Sequence, residues 1–391
     1  MRTPPPAITA GELRMKLDHL SGVLAAGKYN AIALYSEGSL RWLTGLKQQL
    51  GDIAPFAVSP VNALVLIKDS GGFKITIIAK PFEMPRLRSE VPPVFDMVPD
   101  IEYGFLEQMP SPESGTAHST SDNYQQMVDQ IIRPLLGGVD SNSYSKLSWL
   151  SGATMKVLSE TAQELEPGMN GLAIRGRMLC NLARAGIDAN LVLIALSGQE
   201  THLHPIASAQ YQVEKGKWMK LVVGTRYAEH IVSQSLMVKL GGSVSDHEAE
   251  VYRALQQASV EYADLYREGT KECDIYAGMI ERFRKVEHDF GLKGFAQSAV
   301  LHHPGGGTSP LGNRDRMIDP SGIRTCEAWT QFAINPVDTL CGLKVELQGI
   351  IQPSGAPPVI LDMHRMAPAL SFSKIKAEGG TTTVLPDLFI V

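Results

Sequence analysis

The chain has 391 residues, 44% of them hydrophobic and 20% charged, with a formal net charge of −5. That length suits one large domain or two ordinary ones, and the balance of apolar and charged residues excludes large-scale disorder. A net negative chain lacks the basic face that nucleic acid requires, and no apolar run approaches the ~20 residues of a membrane helix.

The first predicted element is a helix over GELRMKLDHLSGVLAAG (11–27), with apolar residues at helical spacing and Gly27 at its end. NAIALYS (30–36) reads as a buried strand, and NALVLIKD (62–69) and FKITIIAK (73–80) as two more, split by the turn at Ser70-Gly71-Gly72. SPESGTAHSTSDN (111–123) is polar and reads as a loop, and YQQMVDQIIRPLL (124–136) as a helix interrupted by Pro134. The texture changes past Gly137. LSWLSGATMKVLSETAQEL (147–165) is an amphipathic helix, PGMN (167–170) breaks it, and GLAIRGRMLCNLARAG (171–186) is a second helix stopped by Gly186. ANLVLIALSG (189–198) reads as a strand and residues 218–242 as a two-stranded hairpin. Residues 246–269, capped by Asp246, and 273–291 read as helices, and the tail from 328 as strand and turn. The fold class is therefore α/β (α+β), with an N-terminal domain over 1–142 and a C-terminal domain over 143–391.

The N-terminal sequence MRTPPPAITAGELRMKL has no apolar core of signal-peptide length. The four cysteines, Cys180, Cys273, Cys326 and Cys341, include no C-x-x-C pair and read as buried, reduced thiols. Both features point to a cytoplasmic protein.

The chemistry-bearing stretch is LHHPGGGTSPLGNRD (301–315). It is open to three readings: metal ligand, acid/base pair or phosphate cradle. The P-loop Lys-Ser/Thr is missing and Pro310 and Gly312 follow the glycines, so no helix starts promptly and the phosphate reading is weak. No G-x-S-x-G elbow supports a serine hydrolase. The histidines His202, His204, His302 and His303 fall into two pairs, suited to metal binding or acid/base work.

The order helix, PGM, helix, strand, SG, H-P, then the GKWMKLVVG hairpin resembles the creatinase, aminopeptidase P and prolidase family over roughly residues 145–350. LRWLTGL (40–46) is similar to the family's strand-entry segment. The resemblance implies a smaller N-terminal α/β domain followed by a C-terminal pita-bread domain, and commonly a homodimer. Metal-dependent members hold two ions with two aspartates, one histidine and two glutamates. Here those positions correspond to Val222, Ser233, His303, Asn335 and Glu346. Three carboxylates are missing, and hard divalent cations need charged oxygen ligands, so the resemblance implies a branch without metal or other cofactor.

The creatinase branch also works without metal, with a histidine in the loop before the hairpin, where His204 stands. His303 runs to Asn313-Arg314-Asp315 over the spacing that separates that branch's histidine segment from an arginine that holds the substrate carboxylate. The expected catalytic residues are thus His204, His303 and Glu346. The expected substrate-binding residues are Arg314, His202, His302, Asn335, Glu229 and His230. Ser235 replaces that branch's hairpin glutamate; Glu229 and His230 could stand in for it, although strand alternation turns only one of the two inward and an exposed hairpin tip is the alternative. Arg314 could instead pair with Asp315 or Glu327. The expected partner is a small molecule, with no nucleic acid and no membrane. Hydrolysis of a C–N bond, a non-hydrolytic isomerisation, elimination or cyclisation, and a non-catalytic binding module all remain open.

Overall fold

The computed structural model describes residues 4–5, 8–27, 31–34, 42–43, 62–69, 72–79, 101–105, 116–118, 141–199, 205–300, 306–309 and 312–391. The chain divides into two compact units, residues 5–138 and residues 139–391, the second of which includes residues 1–4. Helix 124–136 and segment 40–46 lie mostly or wholly outside the described residues.

In the first unit, α1 (Ala10–Gly27) starts with a reciprocal cap. The Thr9 N–H donates to Glu12 Oε2 at 2.7 Å and the Glu12 N–H donates to Thr9 Oγ1 at 3.2 Å. Strands β1 (Ala31–Leu34), β2 (Asn62–Asp69), β3 (Gly72–Ala79), β4 (Ile101–Phe105) and β5 (Thr116–His118) form one sheet in the order β4-β3-β2-β1-β5. β5 falls inside the stretch 111–123 that reads as a loop. Its pairing is parallel, to β1, and a polar three-residue strand of this kind carries no periodic signal of its own.

The second unit opens with α2 (Ser141–Gln163) and α3 (Gly171–Ala185). α2 begins six residues before its apolar pattern does. The polar start SNSYSK is held by burial of Ser143 and Lys146, a tertiary effect that overrides weak local propensity. PGMN breaks the two helices as expected: Asn170 Oδ1 accepts from the Ala173 N–H, and Gly186 ends α3 at φ 69°. Strands β6 (Asp188–Ala195), β7 (Trp218–Tyr227) and β8 (His230–Lys239) follow. They form an antiparallel ladder that β16 (Phe389–Ile390) joins in parallel, giving the order β16-β8-β7-β6.

α4 (Asp246–Ala263) is capped by Ser245 in a capping box with Glu248, not by Asp246, which is its first helical residue. It also stops at Ala263 rather than 269. The Asp264 carboxylate is engaged by Arg267 and Thr381, which fold the chain away from the helix axis. α5 (Glu272–Phe290) and the short α6 (Phe295–Val300) complete the helices. The second sheet, β10-β9-β11-β12-β13, is built from β9 (Gly306–Ser309), β10 (Gly312–Met317), β11 (Gln331–Ile334), β12 (Leu347–Ile350) and β13 (Val359–Ile360). β14 (Phe372–Lys376) and β15 (Thr382–Pro386) form a separate hairpin. Gly306 and Gly307 belong to β9 and pair with Ala333 and Phe332 of β11. They are ladder residues, and no helix follows them, which removes the phosphate-cradle geometry. The four cysteines are free thiols as expected, but none is buried: Cys180 is exposed and the others are half-buried.

Candidate functional site

Strand alternation sorts the second unit's sheets into two faces. On β7 and β8 the outer face meets α2: Thr154 Oγ1 lies 2.7 Å from Thr225 Oγ1, Gln234 Nε2 donates to Ser151 Oγ at 2.6 Å, and the Trp149 and Tyr227 rings are 4.7 Å apart. On β11 the outer face meets the turn that follows α4, where Phe332 stacks on Tyr266 at 4.1 Å with the rings 6° from parallel. Gly349 pairs with Phe332, and a Cβ there would lie 2.6 Å from the Phe332 ring. Only glycine leaves room for that stack.

The opposite faces hold the positions singled out in the sequence. Register pairs Val222 with Ser235 and Gly224 with Ser233, so all four share the face turned away from α2. On the second sheet, Gln331 and Gln348 lie on the face opposite Phe332, and Gln331 Nε2 donates to Gln348 Oε1 at 2.8 Å and to the Ile231 carbonyl of β8 at 2.9 Å. That bond ties the two inner faces together. The register Ile334↔Leu347 and the bridge Val337↔Lys344 bring Asn335 level with Glu346. Lys344, two residues before Glu346 and on the same face, places Nζ 2.9 Å from Glu346 Oε2, with side-chain exposures of 5% and 0%. Asn335, Ser233 and Ser235 are buried. Among the described residues, Ser235 Oγ and Gln348 Nε2 have no hydrogen-bond partner.

A second polar group sits where β7 turns into β8. Glu229 and His230 are not an exposed tip: their side chains are 4% and 10% exposed. Glu229 Oε1 lies 3.6 Å from Lys146 Nζ of α2 and 3.4 Å from His230 Nε2. Burial first, and then the Glu229 charge, raise the Tyr227 hydroxyl above its ordinary range. The turn brings both residues together because Ala228 adopts a left-handed φ of 51°, which takes Glu229 out of the strand's alternation.

The structure therefore brings Asn335 and Glu346 together and groups Glu229 with His230. Arg314 is on β10, with its side chain outside the described residues. His202, His204, His302 and His303 also lie outside them. Sequence reasoning missed Lys344 and Lys146. The first was legible, since residues i and i+2 of a strand share a face. Lys146 was not, because its partner is 83 positions away.

Two sheets with helices on their outer faces and a polar inner side define the class: the second unit has the pita-bread fold. Residues 150–336 match the family model of metallopeptidase family M24. The solved structures similar to this chain include dipeptidase PepE from Mycobacterium ulcerans, at 15% identity and TM-score 0.67, covering 92% of this chain and 98% of that one. X-Pro aminopeptidase from Thermotoga maritima MSB8 matches at 13% identity and TM-score 0.67, covering 96% and 99%. The N-terminal domain of the FACT complex subunit SPT16 from Cicer arietinum (chickpea) matches at 12% identity and TM-score 0.60, covering 92% and 98%. No curated protein matches the chain.

A metallopeptidase fold implies metal, and the donor set tests that. Val222 offers no donor, Ser233 and Asn335 offer neutral oxygens, and Glu346 already faces the Lys344 ammonium at 2.9 Å. Among the described residues no group of three or more His, Cys, Asp or Glu side chains is placed to hold a metal ion. These residues do not fit a pair of divalent cations, which need several anionic oxygens to offset dehydration.

Proposed function

We propose that the chain is a metal-independent enzyme that hydrolyses a C–N bond in a small, carboxylate-bearing molecule by histidine acid/base catalysis. One observation supports a reaction without metal. The inner faces present Val222, Ser233 and Asn335 where the family's carboxylates would stand, and the remaining Glu346 is ion-paired with Lys344. The C–N bond is suggested by the fold match to a dipeptidase and an X-Pro aminopeptidase. In this reading His204 takes a proton from water as the water attacks, and returns it to the leaving nitrogen as the C–N bond breaks. Glu346 orients or charge-stabilises His303 and polarises the water. Arg314 clamps the substrate carboxylate through paired N–H donors. His202, His302, Asn335, Glu229 and His230 line the substrate, and the protein acts as a cytoplasmic homodimer.

The test is turnover of a panel of small amides, ureas and guanidines bearing a carboxylate, in ¹⁸O-labelled water. Label in the product supports hydrolysis; turnover without label replaces it with isomerisation, elimination or cyclisation on the same histidines. Activity that survives both His204→Ala and His303→Ala removes the acid/base assignment. Stoichiometric manganese, cobalt or zinc in the purified protein removes metal independence. A binding module without catalysis is the second reading, favoured by the same loss of carboxylates and by the fold match to the SPT16 domain.

A further inference from the structure

Between Asn335 and Glu346 the chain makes a tight excursion, Pro336 to Val345, that joins β11 to β12. The Asp338 N–H donates to the Leu343 carbonyl and the Gly342 N–H to the Asp338 carbonyl, both at 2.8 Å, with Gly342 at φ 71° completing the turn. The Asp338 side chain is 2% exposed. Oδ2 accepts the Cys341 N–H at 2.8 Å, which a local turn explains. Oδ1 does something a local turn does not: it accepts the Ser298 hydroxyl at 2.5 Å, from a residue 40 positions earlier. Thr339 Oγ1 adds a contact to the Ser298 carbonyl at 3.4 Å.

Ser298 lies in α6, a six-residue helix too short to hold itself. Its start is fixed to α5: Phe295 stacks on Phe283 with centroids 6.1 Å apart, and the Ala296 N–H donates to Glu287 Oε2 at 2.7 Å. Ser298, near its end, is buried and bonded to Asp338. Two residues later the helix stops at Val300, and the chain runs on into Leu301, His302 and His303. A buried carboxylate is costly unless it is well hydrogen-bonded, and here its donors are the Ser298 hydroxyl of α6 and the Cys341 N–H of its own turn.

We infer that Asp338 is a positioning residue: its carboxylate locks α6 to the arm carrying Asn335 and Glu346, and so fixes the end of α6 at Val300, from which the sequence continues to His302 and His303, relative to that arm. The assignment of a functional purpose rests on the reading of His303 and Glu346 as site residues; the lock itself does not. Asp338 also acts on its neighbour Cys341, whose thiol is pushed up to about 11 by burial first and by the Asp338 charge second, which supplies a reporter for the carboxylate's ionisation.

Three variants test the lock: Ser298→Ala, Asp338→Ala and Asp338→Asn. Ser298 Oγ also lies 3.0 Å from the Phe295 carbonyl. In Asp338→Asn the hydroxyl can therefore donate there and accept from the new amide, so this variant retains the lock without the charge. Hydrogen exchange of the α6 amides should accelerate about tenfold or more in the two alanine variants, as expected for a lost buried hydrogen bond, with α2 and β7 unchanged and Asp338→Asn close to wild type. The His303 ring, ¹³C-labelled and assigned by loss of its signal in His303→Asn, should change its titration midpoint in the alanine variants and recover it in Asp338→Asn. Thiol reactivity of Cys341 should rise in Asp338→Asn, because removing a negative charge favours the thiolate. If Asp338→Ala does not fold, Ser298→Ala carries the same two measurements. Unchanged α6 exchange in both alanine variants overturns the lock. Faster exchange with an unmoved His303 titration overturns the positioning role and leaves a structural bond. If both respond while His303→Ala leaves turnover intact, the lock stands and the functional reading fails.

Discussion

The two faces of the second unit's sheets come from the same strands and differ in almost everything else. The outer face of β7, β8, β11 and β12 is packed by α2 and the turn that follows α4, with the Phe332 ring on Tyr266, Thr225 against Thr154 and Gly349 clearing the space. The inner face is equally shielded from water but polar: Ser233, Ser235, Gln331, Asn335, Lys344, Glu346 and Gln348 are all buried. Burying polar groups costs stability unless each is satisfied. One face is therefore built from ring stacking and close packing, and the other from buried polar groups, which is where the proposed site residues Asn335 and Glu346 lie.

The largest expected effect tests that contrast at its charged centre. Lys344→Met removes the ammonium 2.9 Å from the buried Glu346 carboxylate and should lower unfolding free energy by about 3–5 kcal/mol in denaturant titration. The double variant Lys344→Met/Glu346→Leu should recover most of the loss. A small effect of the single variant would show that the pair is not desolvated. On the outer face, Gly349→Ala forces a Cβ against the Phe332 ring and should cost about 1–3 kcal/mol by overpacking. Gly349→Ala combined with Phe332→Leu should relieve part of that cost. Ser235→Ala separates the faces most sharply at small magnitude: with no partner among the described residues to lose, it should change stability by less than about 1 kcal/mol, in either direction. A loss well beyond that would mean that the hydroxyl is engaged.

A pH measurement at the sheet's end supplies a control. Burial raises the Glu248 carboxyl, but the Ser245 N–H, Lys239, Trp218 and the Ser245 hydroxyl outweigh it and bring it down to about 2 from an ordinary 4.5. A carboxyl lowered in the folded state contributes stability that is fully present above 4.5 and is lost as pH falls toward 2. The stability difference between wild type and Glu248→Gln should therefore be flat above about pH 5 and shrink below it. A difference that persists unchanged near pH 2 would mean that the capping box works without the charge.

Much of this was legible in the chain. Periodicity gave α2 through α5 and the β7–β8 hairpin because those elements bury one continuous stripe or face. The pairing of Lys344 with Glu346 was readable from GLKVE, since strand alternation alone puts both on one side. The N-cap of α4 was misplaced by one residue because Ser245 and Asp246 are both good caps and only backbone geometry chooses between them. The strands β5, β9 and β10 were not legible, because each is short, polar or glycine-rich and is stabilised by the strand beside it.

What the sequence determined by itself is the set of chemical groups: a histidine-rich segment, a valine, a serine and an asparagine where the resemblance calls for carboxylates, and one glutamate with a lysine two places before it. What only the tertiary structure decided is which of those groups are buried together. Lys146 meets Glu229 across 83 positions and Asp338 meets Ser298 across 40. Neither contact has a local period to announce it, and each exists because tertiary packing brings distant parts of the chain to hydrogen-bonding or ion-pair distance.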